Sequence, residues 1–309
     1  MPVIDLNWTA FLASVLVVST PFLLAALGEL VVERAGVLNL GVEGMMITGA
    51  AAGIVVAIET GSPWAGFLCA ALGGLGLGLV FALLTQGLQS NQVATGLGLT
   101  LFGLGFSALL AQGYVGVPAP TIGGPDLGPL RDVPILGPAL FARDWVVYLG
   151  LLAALGVWLY LFRTRSGLIL RAVGEGHDAA HALGYRVRAT RVAAIAFGGA
   201  MAGLAGGYLT LVRVPSWTDG MTAGAGWIAL AIVVFGGWRP GRVLLGAWLF
   251  GGAQALQLRL QAAQVPVPVE LLSMSPYLIT IAVLVAISVR RRAGGAAPAC
   301  LGQPFRAGA

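Results

Sequence analysis

Lysine is absent from this chain; all seventeen basic residues are arginine. That excludes a phosphate-binding loop of the G-x-x-x-x-G-K-[ST] kind and Schiff-base chemistry on lysine. If ATP drives the work, another chain must bind it. Charge of either sign is scarce as well: 9% of the 309 residues are charged, where soluble domains carry about 25%. With 58% hydrophobic residues and a mean hydropathy of +0.91, the chain reads as a polytopic membrane protein. Cysteine occurs twice, Cys69 in an apolar span and Cys300 in a polar tail, so neither a disulfide framework nor a metal quartet fits. The N-terminus has no positive region before its first apolar stretch, which is expected to be a retained span. The net charge of +5 lies mostly in loop and tail arginines, without the interleaved basic and aromatic pattern of a nucleic-acid surface.

What is abundant is glycine, 47 residues, which lets membrane helices approach closely and lets backbone break where it lines a cavity. The all-α fold expected has about nine spans, with eight to ten open. They are 8–27 (Pro21 inside), 44–58, 64–88, 93–111, 145–162, 192–212, a short 227–238, 243–258 and 271–289. Together they form one membrane domain over 1–292, and 293–309 is a Gly/Ala/Pro-rich tail expected to be disordered in the cytoplasm.

The charged stretch from Arg163 to Arg191 sets the orientation. It carries six arginines against Glu175 and Asp178, and a short loop of that kind stays inside. Counting crossings from it puts Arg239, Arg242 and Arg290–Arg292 inside, and the proline-rich 113–144 loop outside. Each agrees with the charge rule. Within the basic loop, Asp178 sits in the first turn of a short helix, Ala179, Ala180 and Leu183 make an apolar edge, and Gly184 is a stop. An ordinary positive-inside loop and a docking element both fit that pattern.

Two polar clusters lie at helix starts. Gly28–Ala50 places Glu29, Glu33, Arg34, Asn39 and Glu43 among apolar residues, with glycines at 36, 41 and 44 that allow a broken helix. Asn91, Gln92 and Thr95 open the fourth span, where capping is the simpler explanation of Asn91. A faint repeat relates 41–88 to 224–261, and parity runs the copies in opposite directions, as in transporters that bind solute between inverted repeats. Asn39, Glu43, Asn91, Gln92, Thr95 and Trp227 are therefore candidate solute-path residues, with a purely structural role for Asn39 and Glu43 left open.

The stretch GELVVERAGVLNLGVEGMMITGA resembles the signature of inner-membrane permeases of ABC importers in the ribose, branched-chain amino acid and nucleoside class. It is most similar to the nucleoside permeases that work with basic-membrane-lipoprotein-type binding proteins. SNQVATGLGLTL at 90–101 and GAGWIALAIVVFGGWRP at 224–240 are similar too, so the likeness covers nearly the whole chain. Gly167–Tyr185 resembles that family's cytoplasmic coupling loop, with Gly176-His177 where the family usually has Asn-Pro. The resemblance implies that Arg171, Gly174, Glu175, Asp178, Ala179, Ala180, Leu183 and Gly184 meet an ATPase. It also implies a second permease as homo- or heterodimer, separate ATPase subunits, an extracytoplasmic solute-binding protein, lipid surroundings and no nucleic acid. A bacterial inner-membrane permease is the expectation: a translocation subunit rather than an enzyme, with no cofactor of its own. Its solute would be a nucleoside, then a simple sugar, then a branched-chain amino acid or small amide. A different class stays open, an ion-coupled secondary transporter using Glu29, Glu33 and Glu43. The spacing His177-x-x-x-His181 mimics a zinc helix but has no evident third ligand.

Overall fold

The computed structural model describes residues 8–126, 141–263 and 297–306, with isolated positions from 128 to 137 and from 268 to 285. The protein is 76% helical without strands among the described residues. Among the described residues ten α-helices have defined bounds, in order: α1 Trp8–Arg34, α2 Val42–Thr60, α3 Pro63–Ala82, α4 Gln92–Leu110, α5 Trp145–Arg163, α6 Arg165–Glu175, α7 His177–Ala182, α8 Val187–Tyr208, α9 Ala225–Phe235 and α10 Pro240–Ala262. A π-helical turn extends α3 to Gly87 and another extends α8 to Arg213. Seven of these helices are long and apolar enough to cross a membrane, and α9 is a shorter apolar one. The last expected span, 271–289, falls largely outside the described residues.

Sequence fixes the helix starts in ordinary ways. Ser62 accepts from the Ala65 amide with Pro63 at the first position of α3, and Asn91 accepts from Ala94 to open α4. Asp144 Oδ1 takes the amides of Val146 and Val147 at α5, and Thr164 caps α6 through Gly167.

The centre is built on small residues. Gly74 lies so close to α8 that an added Cβ would collide with the Gly199 carbonyl; one on Gly203 would strike Ala70, and one on Gly206 would strike Met46. Helices α2, α3 and α8 therefore touch backbone to backbone, where lipid-like side chains offer no hydrophobic gain from pairing. α1 packs against α5, α8, α9 and α10 and is buried almost continuously from Val18 to Glu33.

Two expectations shift. The first span does not end at Leu27: α1 runs unbroken to Arg34, about 40 Å at 1.5 Å per residue, and the break falls at 35–41. Glu29 and Glu33 can stay inside a helix because both carboxylates find donors, described below. The tail also departs from the disordered segment expected over 293–309. Its described part, 297–306, lies against the ends of α1, α6, α7 and α8, with Phe305 only 6% exposed. Backbone hydrogen bonds to Gly36 and Gly174, which composition cannot reveal, hold it there.

Candidate functional site: a helix junction and an arginine hub

α2 and α9 both begin at buried residues, Val42 and Ala225. Their N-termini meet at Glu43, which sits in the first turn of α2 and is 4% exposed. Glu43 Oε1 accepts from Thr222 Oγ1 at 2.6 Å and from the Gly224 amide at 2.9 Å, while Oε2 accepts from the Gly226 amide at 2.6 Å. One carboxylate thus satisfies the orphan amides at the start of α9, where the helix dipole favours negative charge. Gly224 (φ +85°) supplies the left-handed turn there, and Gly226 leaves room for the Glu43 backbone. α9 has eleven residues, so the junction stands about 16 Å in from the end of α9, near half the ~30 Å hydrocarbon thickness.

The break before α2 is equally pinned. Asn39 is fully buried; its backbone amide and Nδ2 donate to Glu29, and its Oδ1 accepts from Gly41. Gln92 Oε1 accepts from the Leu38 amide, and Thr100 Oγ1 donates to the Leu40 carbonyl. Gln92 Nε2 is buried without a partner. Asn91 is spent on its cap, Thr95 pairs with Ser90, and Trp227 is half exposed on α9. The structure therefore brings Asn39, Glu43 and Gln92 together around the helix break, and leaves Asn91, Thr95 and Trp227 apart from it.

Beside the junction, between α1, α9 and α10, opens a cavity of about 460 Å³. Phe22, Phe250 and Tyr277 supply rings, Thr218 and Thr222 hydroxyls, Gln254 and Gln257 amides, and Arg213 a cation. The Gln254 Oε1 atom is buried with no hydrogen-bond partner. None of the six path residues named from sequence lines this space, and only Thr222 links it to Glu43. Gln254 and Gln257 were missed, although two amides three apart on an apolar span share one face and are a readable signal.

At one end of the bundle the basic loop folds as two helices, α6 and α7, separated by the extended Gly176 (φ −161°). α7 stops as its sequence predicts. Gly184 (φ +85°) donates to His181 and Tyr185 donates to Ala180, the paired bonds of a Schellman ending. The apolar edge expected there divides. Ala180 turns inward, 3% exposed, to pack with Val173, Val187 and Phe305, whereas Leu183 is 77% exposed and Ala179, Asp178 and Gly184 also face out. Of the rest, Arg171 stacks over Phe162 at 4.8 Å, and Glu175 stands 3.9 Å from Arg34. Gly174 presses on the Arg34 carbonyl too closely for any Cβ.

Glu33 and Arg34 then grip a single residue. Trp238 donates its indole N–H to Glu33 Oε2, and its carbonyl accepts from Arg34 Nε at 3.0 Å and Nη2 at 2.6 Å. Trp238 holds φ +55°, an uncommon conformation for a bulky residue, because both its ends are fixed. The turn between α9 and α10 is thereby fastened to the end of α1.

A polytopic helical bundle with two half-buried helix starts facing each other, a polar cavity beside them and a basic helical loop at one end is the architecture of a solute transporter. The family described as "Branched-chain amino acid transport system / permease component" matches residues 11–287, and the chain belongs to it. It is 44% identical over 290 residues to "Putative glucose ABC transporter permease protein TsgC13" of Haloferax volcanii, covering 86% of this chain and 88% of that one. It is 31% identical to the nucleoside ABC transporter permease protein NupC of Lactococcus lactis (88% and 90% covered). To the guanosine ABC transporter permease protein NupQ of Bacillus subtilis it is 32% identical (87% and 89%). The protein is an ABC permease, a multi-pass inner-membrane transport component.

Proposed function

We propose that this permease imports an uncharged, hydroxyl-bearing ring solute, a nucleoside or a simple sugar. ATP is hydrolysed by separate ATPase subunits that dock on the exposed side of α7, a second permease completes the membrane part, and an extracytoplasmic binding protein delivers the solute. The observation that carries the solute class is the 460 Å³ cavity beside Glu43, within the usual range for small-molecule sites. Its amides and threonine hydroxyls can exchange hydrogen bonds with a ribose or hexose, and its rings offer stacking faces to sugar or base. No carboxylate lines it among the described residues, so the ammonium of an amino acid has no counter-ion there. That sets the branched-chain amino acid reading behind the other two. The relatives named for glucose and for guanosine support the same pair of solutes.

Ion coupling fits less well. Glu29, Glu33 and Glu43 each already accept hydrogen bonds inside the protein, and each is at most 4% exposed. The test is uptake of labelled guanosine and labelled glucose by the assembled transporter, with leucine as competitor. One of the two ring solutes should be taken up in an ATP-dependent way, and Gln254→Ala should slow it while basal ATP hydrolysis holds. Competition by leucine but by neither ring solute overturns the assignment.

A further inference from the structure

We propose that residues 297–306 form a transmission strap, which makes the coupling helix α7 and the α1–α2 connection move as one body. The inference rests on the reading of α7 as the ATPase-facing helix and adds a part to it. The strap touches every element that the motion must cross. The Cys300 amide donates to the Gly174 carbonyl at 2.9 Å, and the Gly302 amide to the Gly36 carbonyl at 3.1 Å. The Ala299 amide donates to Glu175, and Gln89 Nε2 donates to the Phe305 carbonyl at 3.0 Å, which adds the end of the α3 turn. The Phe305 ring stands edge-on to both histidines of α7, 5.5 Å from His177 and 5.2 Å from His181. The apparent zinc spacing of these histidines is thus occupied by an aromatic wedge.

Arg191 locks the assembly. Its side chain is wholly buried, and its three nitrogens serve three different segments: Nε donates to the Ala35 carbonyl at 3.1 Å, Nη1 to the Gln303 carbonyl at 2.9 Å, and Nη2 to His177 Nδ1 at 3.2 Å. A planar guanidinium fixes the relative positions of its partners more firmly than a lysine ammonium does. Gly36 (φ +83°) passes close beneath both Arg191 and the Cys300 carbonyl. From there only six residues lead to Glu43, and Leu38, Asn39 and Gly41 among them are held by Gln92, Glu29 and Asn39. Displacement of α7 therefore has a continuous packed route to the junction where α9 begins, of the contiguous kind through which coupling can travel.

Two variants test this in the transporter reconstituted with its own ATPase and binding protein: a chain ended after residue 296, and Phe305→Ala. Both should keep ATPase co-purification and basal hydrolysis, while solute moved per ATP falls about fivefold or more, the lower end of couplings between sites. Phe305→Leu, which refills the wedge, should recover most of the loss. Parent-like transport per ATP in both variants overturns the strap. So does disappearance of both variants from the membrane, because the segment would then belong to the fold rather than to transmission. A parent chain that retains no ATPase would instead overturn the reading of α7 as the ATPase-facing helix beneath it.

Discussion

The junction at Glu43 and the hub around Arg191 both bring distant parts of the chain together, but they hold charge in opposite ways. At the junction the charge is a carboxylate and its partners are two backbone amides and a hydroxyl, so the complement is a helix N-terminus. At the hub the charge is a guanidinium and the partners are two carbonyls and an imidazole. The first lies at depth, where backbone without a partner is most costly, and is made by residues 43 and 222–226 alone. The second lies at the end of the bundle that carries the basic loop and draws on four segments. Depth favours a compact self-satisfied knot, while the end of the bundle recruits several segments into one surface.

The comparison breaks most severely at Glu43. Glu43→Ala leaves two amides and one hydroxyl without acceptors, each worth about 1–3 kcal/mol when buried. The variant should lose several kcal/mol and accumulate poorly, as membrane protein level and thermal unfolding in detergent will report. Glu43→Gln, which keeps an acceptor oxygen, should lose less. If Glu43→Ala unfolds like the parent, the carboxylate faces solute rather than holding α9.

Arg34→Ala comes next. It removes both hydrogen bonds to the Trp238 carbonyl, a loss of about 1.5–3 kcal/mol for charge-assisted bonds. Arg34→Lys should recover only part of it, since one ammonium cannot reproduce the paired geometry. The signal to watch is Trp238 fluorescence, which should shift red in Arg34→Ala as the turn loosens. An unchanged spectrum and unfolding curve would detach the hub from the α9–α10 turn.

Much of this was legible in the sequence, and the remainder failed for identifiable reasons. Hydropathy gave the long spans because a continuous apolar run of ~20 residues has few other uses. Gly184 announced the end of α7 because few residues but glycine adopt the left-handed angle there. The polar residues of Gly28–Ala50 stood out by position, but their partners did not: Glu33 meets Trp238 and Glu43 meets Thr222, 205 and 179 positions away. No local pattern encodes such pairs. The split of the α7 edge was hidden for the same reason. Ala180 faces inward because Phe305 covers it, and a Gly/Ala/Pro-rich segment gave no sign of returning to the fold.

That split is open to a sharper test, with a smaller effect on the fold. Leu183→Asp changes an exposed side chain and should alter stability by no more than about 0.5 kcal/mol, yet abolish ATPase co-purification. Ala180→Arg should do the reverse first, destabilising the loop by driving a charge against Phe305 and Val173. Equal and mild behaviour of both variants would mean that α7 presents neither face selectively.

The smallest effect concerns pH. His177 lies outside the spans, and burial, aided by the nearby Arg191 guanidinium, holds its imidazole below the ordinary range, with Asp178 opposing. Neutral His177 can accept from Arg191 at Nδ1; the imidazolium cannot, and would place a second cation beside the first. Because the folded protein binds this proton less readily than the unfolded chain, the stabilisation is complete above the ordinary histidine value of ~6.5 and declines as pH falls below it. The strap should therefore loosen between pH 7.5 and 5.5. Hydrogen exchange at the Cys300 and Gly302 amides reads this directly, preferably with His181→Gln so that only one titrating ring faces Phe305. Exchange protection should drop on acidification, and His177→Gln, which keeps an acceptor but cannot take up a proton, should flatten the profile. A drop of equal size in the His177→Gln protein would assign the pH dependence to another group.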